Sequence, residues 1–113
     1  MEKIGDVELQ FTLSPIEDPR QIAILNDQFR TSHSNAISLI VSGTATNKPA
    51  VSIGLTDDLI RRGSKAPEIV RLITGGKGGG RDYFASGSVA DQPLVESTFN
   101  KWKQLLGEYI KAK

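Results

Sequence analysis

Residues 36–55 read Ala-Ile-Ser-Leu-Ile-Val-Ser-Gly-Thr-Ala-Thr-Asn-Lys-Pro-Ala-Val-Ser-Ile-Gly-Leu. From Ala36 to Val41 only Ser38 interrupts an apolar run, the pattern of a central strand covered on both faces. Asn47-Lys48-Pro49 supplies a turn, after which Val51, Ile53 and Leu55 alternate with smaller or polar residues, the period of a second strand. The link between the runs is too short for a crossover helix, so the two strands are expected to be antiparallel neighbours. A sheet therefore forms the centre of the fold.

Upstream, Val7, Leu9, Phe11 and Leu13 alternate with polar residues and predict a strand over 7–13. Asp18-Pro19 places a capping carboxylate before a proline at the first helical position. Ile22, Leu25 and Phe29 follow at helical spacing, which predicts an amphipathic helix over 19–31, and the polar cluster Thr31–Asn35 reads as a loop containing an exposed His33. Downstream, Thr56-Asp57-Asp58 caps a brief helix ending at Gly63; acidic residues at a helix start explain this pair better than a metal site does. A further helix over about 65–74 turns Ile69, Val70, Leu72 and Ile73 to the core. Residues 82–89 can form a strand, with Phe84 expected inside and Tyr83 outside. Asp91 opens a last helix whose apolar stripe includes Leu94, Val95, Phe99, Trp102, Leu106 and Ile110, with Trp102 read as core packing. The expected fold is α/β: a single domain over 1–113, a mixed β-sheet packed with helices in the order β-α-β-β-α-β-α.

Composition narrows the chemistry. The 113 residues contain no cysteine and one histidine, His33, which removes disulfides, thiolate nucleophiles, Cys-based zinc sites and most His-dependent triads. Catalytic residues and a metal site are accordingly not expected. No apolar run approaches the roughly 20 residues that cross a bilayer, and the charged start MEKIGDVELQ lacks the apolar core of a secretory signal. Charge is unevenly distributed: residues 1–59 carry four Lys/Arg against eight Asp/Glu, residues 60–113 ten against five. Such asymmetry suits a surface that meets a polyanion.

The most unusual stretch is Gly75-Gly76-Lys77-Gly78-Gly79-Gly80-Arg81, where five of the 11 glycines fall within six residues. Glycine permits left-handed dihedrals and close approach of another molecule to the backbone. Successive N–H groups turned into one concavity would make an anion-binding nest, with Lys77 and Arg81 adding charge suited to phosphate oxygens. It is not a Walker A loop, because the lysine precedes three glycines and no Ser/Thr follows it. Nor is it a dinucleotide fingerprint, since the order here is helix, loop, strand. A simpler alternative is that Gly75-Gly76 ends a helix and the rest is a turn. Arg61, Arg62, Lys65 and Arg71 are further candidates for phosphate contacts, and Tyr83 for stacking on a base.

The run Asp57-Asp58-Leu59-Ile60-Arg61-Arg62-Gly63-Ser64-Lys65-Ala66-Pro67-Glu68-Ile69-Val70, then Gly75–Arg81, then Ala85 and a terminal amphipathic helix, resembles the C-terminal domain of alanyl-tRNA synthetases. That domain belongs to the group associated with DHH-type phosphoesterases. The resemblance covers about residues 51–113. Where bacterial members continue with Pro-Asp-x-Ala-Gln, this chain has Asp82-Tyr83-Phe84-Ala85-Ser86, so no contact from that glutamine is carried over. The resemblance implies a DHH-associated domain that is one piece of a larger, cytoplasmic enzyme charging tRNA with alanine. It implies an alanine-specific tRNA and the parent's other domains as partners, in some members also a homodimer, and no membrane. RNA or phosphate binding would fall to Gly75, Gly76, Lys77, Gly78, Gly79, Gly80, Arg81, Arg61, Arg62, Lys65 and Tyr83. The domain itself would need no cofactor, while the parent would use ATP, magnesium and zinc. Two other functions stay open: the nucleotide- or oligonucleotide-binding half of a DHH-type phosphoesterase, and a dimerisation module.

Overall fold

The protein is described over residues 2–15 and 18–113 of a computed structural model. Its elements are β1 (Glu2–Ile4), β2 (Val7–Leu13), α1 (Pro19–Ser32), β3 (Ala36–Ser42), β4 (Ala50–Leu55), α2 (Asp57–Arg61), α3 (Ala66–Thr74), β5 (Gly79–Arg81), β6 (Phe84–Ser88) and α4 (Glu96–Lys111). The six strands form one mixed sheet in the order β1-β2-β3-β4-β6-β5. β2 and β3 are parallel and joined through α1, while β3 and β4 pair antiparallel from Ile37↔Leu55 to Ser42↔Ala50, as the short link requires.

The two faces of the sheet differ. Val51, Ile53 and Leu55 share one face with Ile37, Leu39, Val41 and Ala85, and with Ile69, Val70, Ile73, Trp102 and Leu106 from α3 and α4 they form the main apolar core. Trp102 is buried, and its indole N–H donates to Gln92 Oε1 at 3.0 Å; Gln92 Nε2 in turn donates to the Ile73 carbonyl at 2.7 Å. The opposite face carries Ser38, Ser42, Ser52 and Gly54, small or polar positions that let α1 lie close. A Cβ on Gly54 would stand 1.7 Å from Asn26 Oδ1, so α1 can dock only because this strand position is bare.

Several sequence expectations shift for local reasons. α1 is capped by Asp18, whose Oδ1 accepts the Arg20 N–H at 3.0 Å, but its inner face runs through Ile22, Asn26 and Phe29, leaving Leu25 exposed. Leu72 likewise points away from the core. His33 is not a free loop side chain: its ring stacks on Phe29 with centroids 4.5 Å apart. α4 begins at Glu96 rather than Asp91, because Pro93 disfavours the helical region for Gln92 and Gln92 is committed to Trp102. β1 and β5, both three-residue edge strands, add to the expected element order.

Thr56 does not cap α2 through its side chain. Its hydroxyl accepts the Ala36 N–H at 3.1 Å and donates to Asp58 Oδ1 at 2.5 Å, while Asp58 Oδ2 accepts the Asn35 N–H at 2.7 Å. Burial pushes the Asp58 carboxyl up, but the hydrogen bonds from Thr56, Asn35 and Leu59 outweigh it and hold it below the usual aspartate value. A lowered folded value contributes stability that is present above the unfolded value near pH ~4 and lost as pH falls through the folded one. Asp58→Asn should therefore be less stable than the parent at pH 7, with the gap closing in acid; chemical denaturation at pH 7 and pH 2.5 measures it.

Candidate nucleic-acid interface

The glycine stretch is less a loop than the start of a hairpin. Gly75 caps α3 in the left-handed conformation (φ 77°), and Gly76 donates its N–H to the Arg71 carbonyl at 2.8 Å. Thr74 Oγ1 accepts the Lys77 N–H at 2.9 Å and donates to the Lys77 carbonyl at 2.5 Å. Gly79–Arg81 then pairs with β6. The expected nest is corrected accordingly: the amides of Gly76 and Lys77 are spent on α3, and the segment beyond runs on as strand rather than curling round a concavity. Gly78 and Gly80 answer to packing. A Cβ on Gly78 would lie 2.5 Å from the Ser86 carbonyl oxygen, and one on Gly80 2.6 Å from that of Phe84, at φ of 92° and 154°.

The hairpin also separates the two leading cations. Lys77 precedes β5 and Arg81 ends it, with at most ~13 Å of extended chain between them. Lys77 Nζ sits 2.9 Å from Asp91 Oδ2, both half exposed. The hydrogen bond from Lys77 lowers the Asp91 carboxyl from its ordinary value. Arg71 reaches back with Nε to the Gly78 carbonyl at 3.4 Å. Exposed pairs of this kind are weak, yet Asp91 must be displaced before Lys77 can meet a phosphate. If this surface meets RNA, Asp91→Asn should bind it about 2–3-fold more tightly at low salt, and the gain should vanish in a Lys77→Ala background; filter binding measures both.

Arg81 lies elsewhere. Paired with Phe84, it faces the α1 side of the sheet and has no ion-pair partner among the described residues. The two-residue turn Asp82-Tyr83 that follows is held firmly. The Asp82 carbonyl accepts the Ala66 N–H at 2.9 Å, and the Tyr83 carbonyl accepts the Leu55 N–H at 3.1 Å. These bonds bring the turn to the start of α3, next to exposed Lys65. The Arg30 guanidinium lies 4.5 Å from the Tyr83 ring centroid, donates through Nε to the Leu55 carbonyl at 2.9 Å and pairs with Asp57. Arg61 shares a shallow depression with Arg30 and Asp57. Arg81, Tyr83, Lys65 and Arg61 thus gather at one end of the sheet, with exposed Arg62 directly after α2, while Lys77 stands at the far end of β5. Arg30 completes this end of the sheet, and no sequence signal marks it, because it sits within an otherwise acidic half.

Tyr83 and Phe84 do not divide as strand alternation predicts. Both are partly exposed, because Tyr83 occupies the turn and Phe84 faces α1; the buried neighbour is Ala85. Between α1 and the hairpin runs a groove of about 360 Å³, lined by Asn26 and Asp27 on one side and by Gly79, Arg81, Tyr83 and Phe84 on the other.

A family model described as the DHHA1 domain matches residues 7–112. The chain belongs to the DHHA1 family. Its similar curated proteins include the alanine–tRNA ligases of Fusobacterium nucleatum, 28% identical over 94% of this chain, and Bordetella pertussis, 32% identical over 75%. The chain spans only 12% and 10% of the length of those two relatives. Among solved structures, the C-Ala domain from Aquifex aeolicus alanyl-tRNA synthetase has the same fold, with a TM-score of 0.75 covering 94% of this chain and 96% of that one at 24% identity. The mixed α/β architecture expected from the sequence is that of this DHHA1 domain. Among the described residues no helix is long and apolar enough to cross a membrane, and no three His, Cys, Asp or Glu side chains gather to hold a metal.

Proposed function

We propose that this DHHA1 domain is the tRNA-binding C-terminal module of a cytoplasmic alanine–tRNA ligase, presenting RNA to charging and editing centres that lie in other domains of the parent. The observation that carries this reading is the pinned Asp82-Tyr83 turn, which sets Arg81, without an ion-pair partner among the described residues, and a partly exposed aromatic ring at the end of the sheet that leads into α2 and α3, whose flanking Arg61, Arg62 and Lys65 are exposed. Guanidinium and ammonium groups neutralise phosphates without reading sequence, and an accessible ring accepts a splayed base. The kinship with alanine–tRNA ligases supports tRNA as the RNA. In this reading the domain binds no cofactor of its own, and ATP, magnesium and zinc belong to the parent's other sites.

A gel shift with alanine tRNA, combined with light scattering, tests the reading. A monomer that shifts the tRNA is expected. A dimer that leaves the tRNA free would overturn it in favour of a dimerisation module, and preference for a short oligonucleotide or mononucleotide over tRNA would favour the phosphoesterase-type half.

A further inference from the structure

The start of α3 is tied to α4 by one phenol. Lys65, the N-cap of α3, donates its N–H to Tyr109 Oη at 2.9 Å, and the Tyr109 hydroxyl donates to Glu68 Oε1 at 2.5 Å. Lys113 Nζ stands 5.1 Å from the Tyr109 ring centroid and 3.9 Å from Glu68 Oε1. Burial, aided by the bond to Glu68, pushes the Tyr109 hydroxyl up to about 12, so it keeps the proton it donates.

Glu68 is the third residue of α3, where a glutamate ordinarily turns back to accept the N-cap N–H directly. Here the Tyr109 hydroxyl is inserted between the two. The bond from Tyr109 holds the Glu68 carboxyl below its ordinary value, with further help from the positive charges of Lys113, Lys65 and Arg71. Glu68 therefore lies within electrostatic reach of two exposed cations of α3, Lys65 and Arg71, yet its hydrogen bond runs to α4. Lys65 has no ion-pair partner among the described residues. Without the hydroxyl, Glu68 would fold back on Lys65, whose N–H and ammonium both attract it, and would compete there with any phosphate.

We propose that Tyr109 is a positioning residue of the RNA-binding surface, whose hydroxyl holds Glu68 toward α4 and so leaves the Lys65 ammonium open to a phosphate. The proposal rests on the RNA-binding function proposed for the domain. It adds a residue of α4 that governs that surface without touching RNA.

Filter binding of alanine tRNA at low salt tests it through a double-mutant cycle. Tyr109→Phe keeps the ring and removes only the hydroxyl; checked for folding by its backbone spectrum, it should bind about 3-fold more weakly, the effect of one exposed ion pair. Adding Glu68→Gln should return the affinity to the wild-type value or above, because the competing charge is gone. In a Lys65→Ala background Tyr109→Phe should have no effect. Unchanged affinity of Tyr109→Phe would overturn the proposal. A loss that Glu68→Gln does not rescue, or that persists without Lys65, would also overturn it, because Tyr109 would then serve only the packing of α3 on α4. Either result would leave the RNA-binding function intact, whereas a wild-type domain that binds no tRNA would remove that function, and this proposal with it.

Discussion

Replacing Arg81 and Lys65 together by alanine should weaken tRNA binding by about 30-fold, on the basis of two solvent-exposed ionic contacts of roughly 1 kcal/mol each. The slope of log affinity against log salt should flatten by about 0.7–0.9 for each phosphate that is no longer neutralised. The weakening should be similar for tRNAs of different sequence, because phosphate contacts position without reading bases. Lys77→Ala should cost less than 3-fold, since its ammonium is already engaged by Asp91 at 2.9 Å and exposed pairs are worth little. This ordering reverses the one suggested by glycine proximity alone. Placement decides it: Arg81 directly precedes the pinned turn and Lys65 directly precedes the α3 start bonded to that turn, whereas Lys77 lies at the far end of β5. Filter binding over a salt series reads both affinity and slope.

Gly54→Ala should destabilise the domain markedly. The new methyl would overlap Asn26 Oδ1 at 1.7 Å, and Asn26 is fixed on α1 between buried Ile22 and Phe29. The helix must lift from the sheet or Asn26 must leave its rotamer, and overpacking of this kind costs about 1–3 kcal/mol. For a domain of this size that corresponds to a melting point lower by on the order of 10 °C. The clash has one identifiable partner, so Asn26→Ala should restore much of the stability in the Gly54→Ala background, giving a coupling energy of about 1–2 kcal/mol in a double-mutant cycle. Additive effects would mean that α1 rests on the sheet through other residues. Calorimetric melting of the four proteins decides between the outcomes.

Much of the sheet is legible in the sequence because burial imposes a simple period. The Ala36–Val41 run and the alternation at Val51, Ile53 and Leu55 fix β3, β4 and their antiparallel register, since a one-residue slip would turn the core positions to the wrong face. β5 is not legible. Gly79 and Gly80 carry no strand propensity, and their pairing is imposed by β6, whose backbone approaches too closely for any side chain at Gly78 or Gly80. Two of the glycines that suggest an anion nest, Gly78 and Gly80, therefore serve strand packing, and glycine density alone does not separate the two uses. The inner face of α1 is misplaced at Leu25 because hydrophobicity marks it while the true centre is polar Asn26, admitted only by a glycine 28 positions further on. Within the candidate site, Arg81, Tyr83, Lys65, Arg61 and Arg62 are all legible as residue types in the sequence. Their convergence depends on main-chain bonds from Ala66 and Leu55 to the Asp82-Tyr83 turn, which no local pattern announces.

Backbone amide shifts of the 15N-labelled domain, recorded as alanine tRNA is added, test most directly whether the turn end of the sheet faces RNA. The largest changes should fall on Arg81, Asp82, Tyr83, Lys65 and Arg61, with β1 and the exposed side of α4 undisturbed. Changes concentrated on β1 or α4, with the signals of residues 81–83 unmoved, would contradict the account.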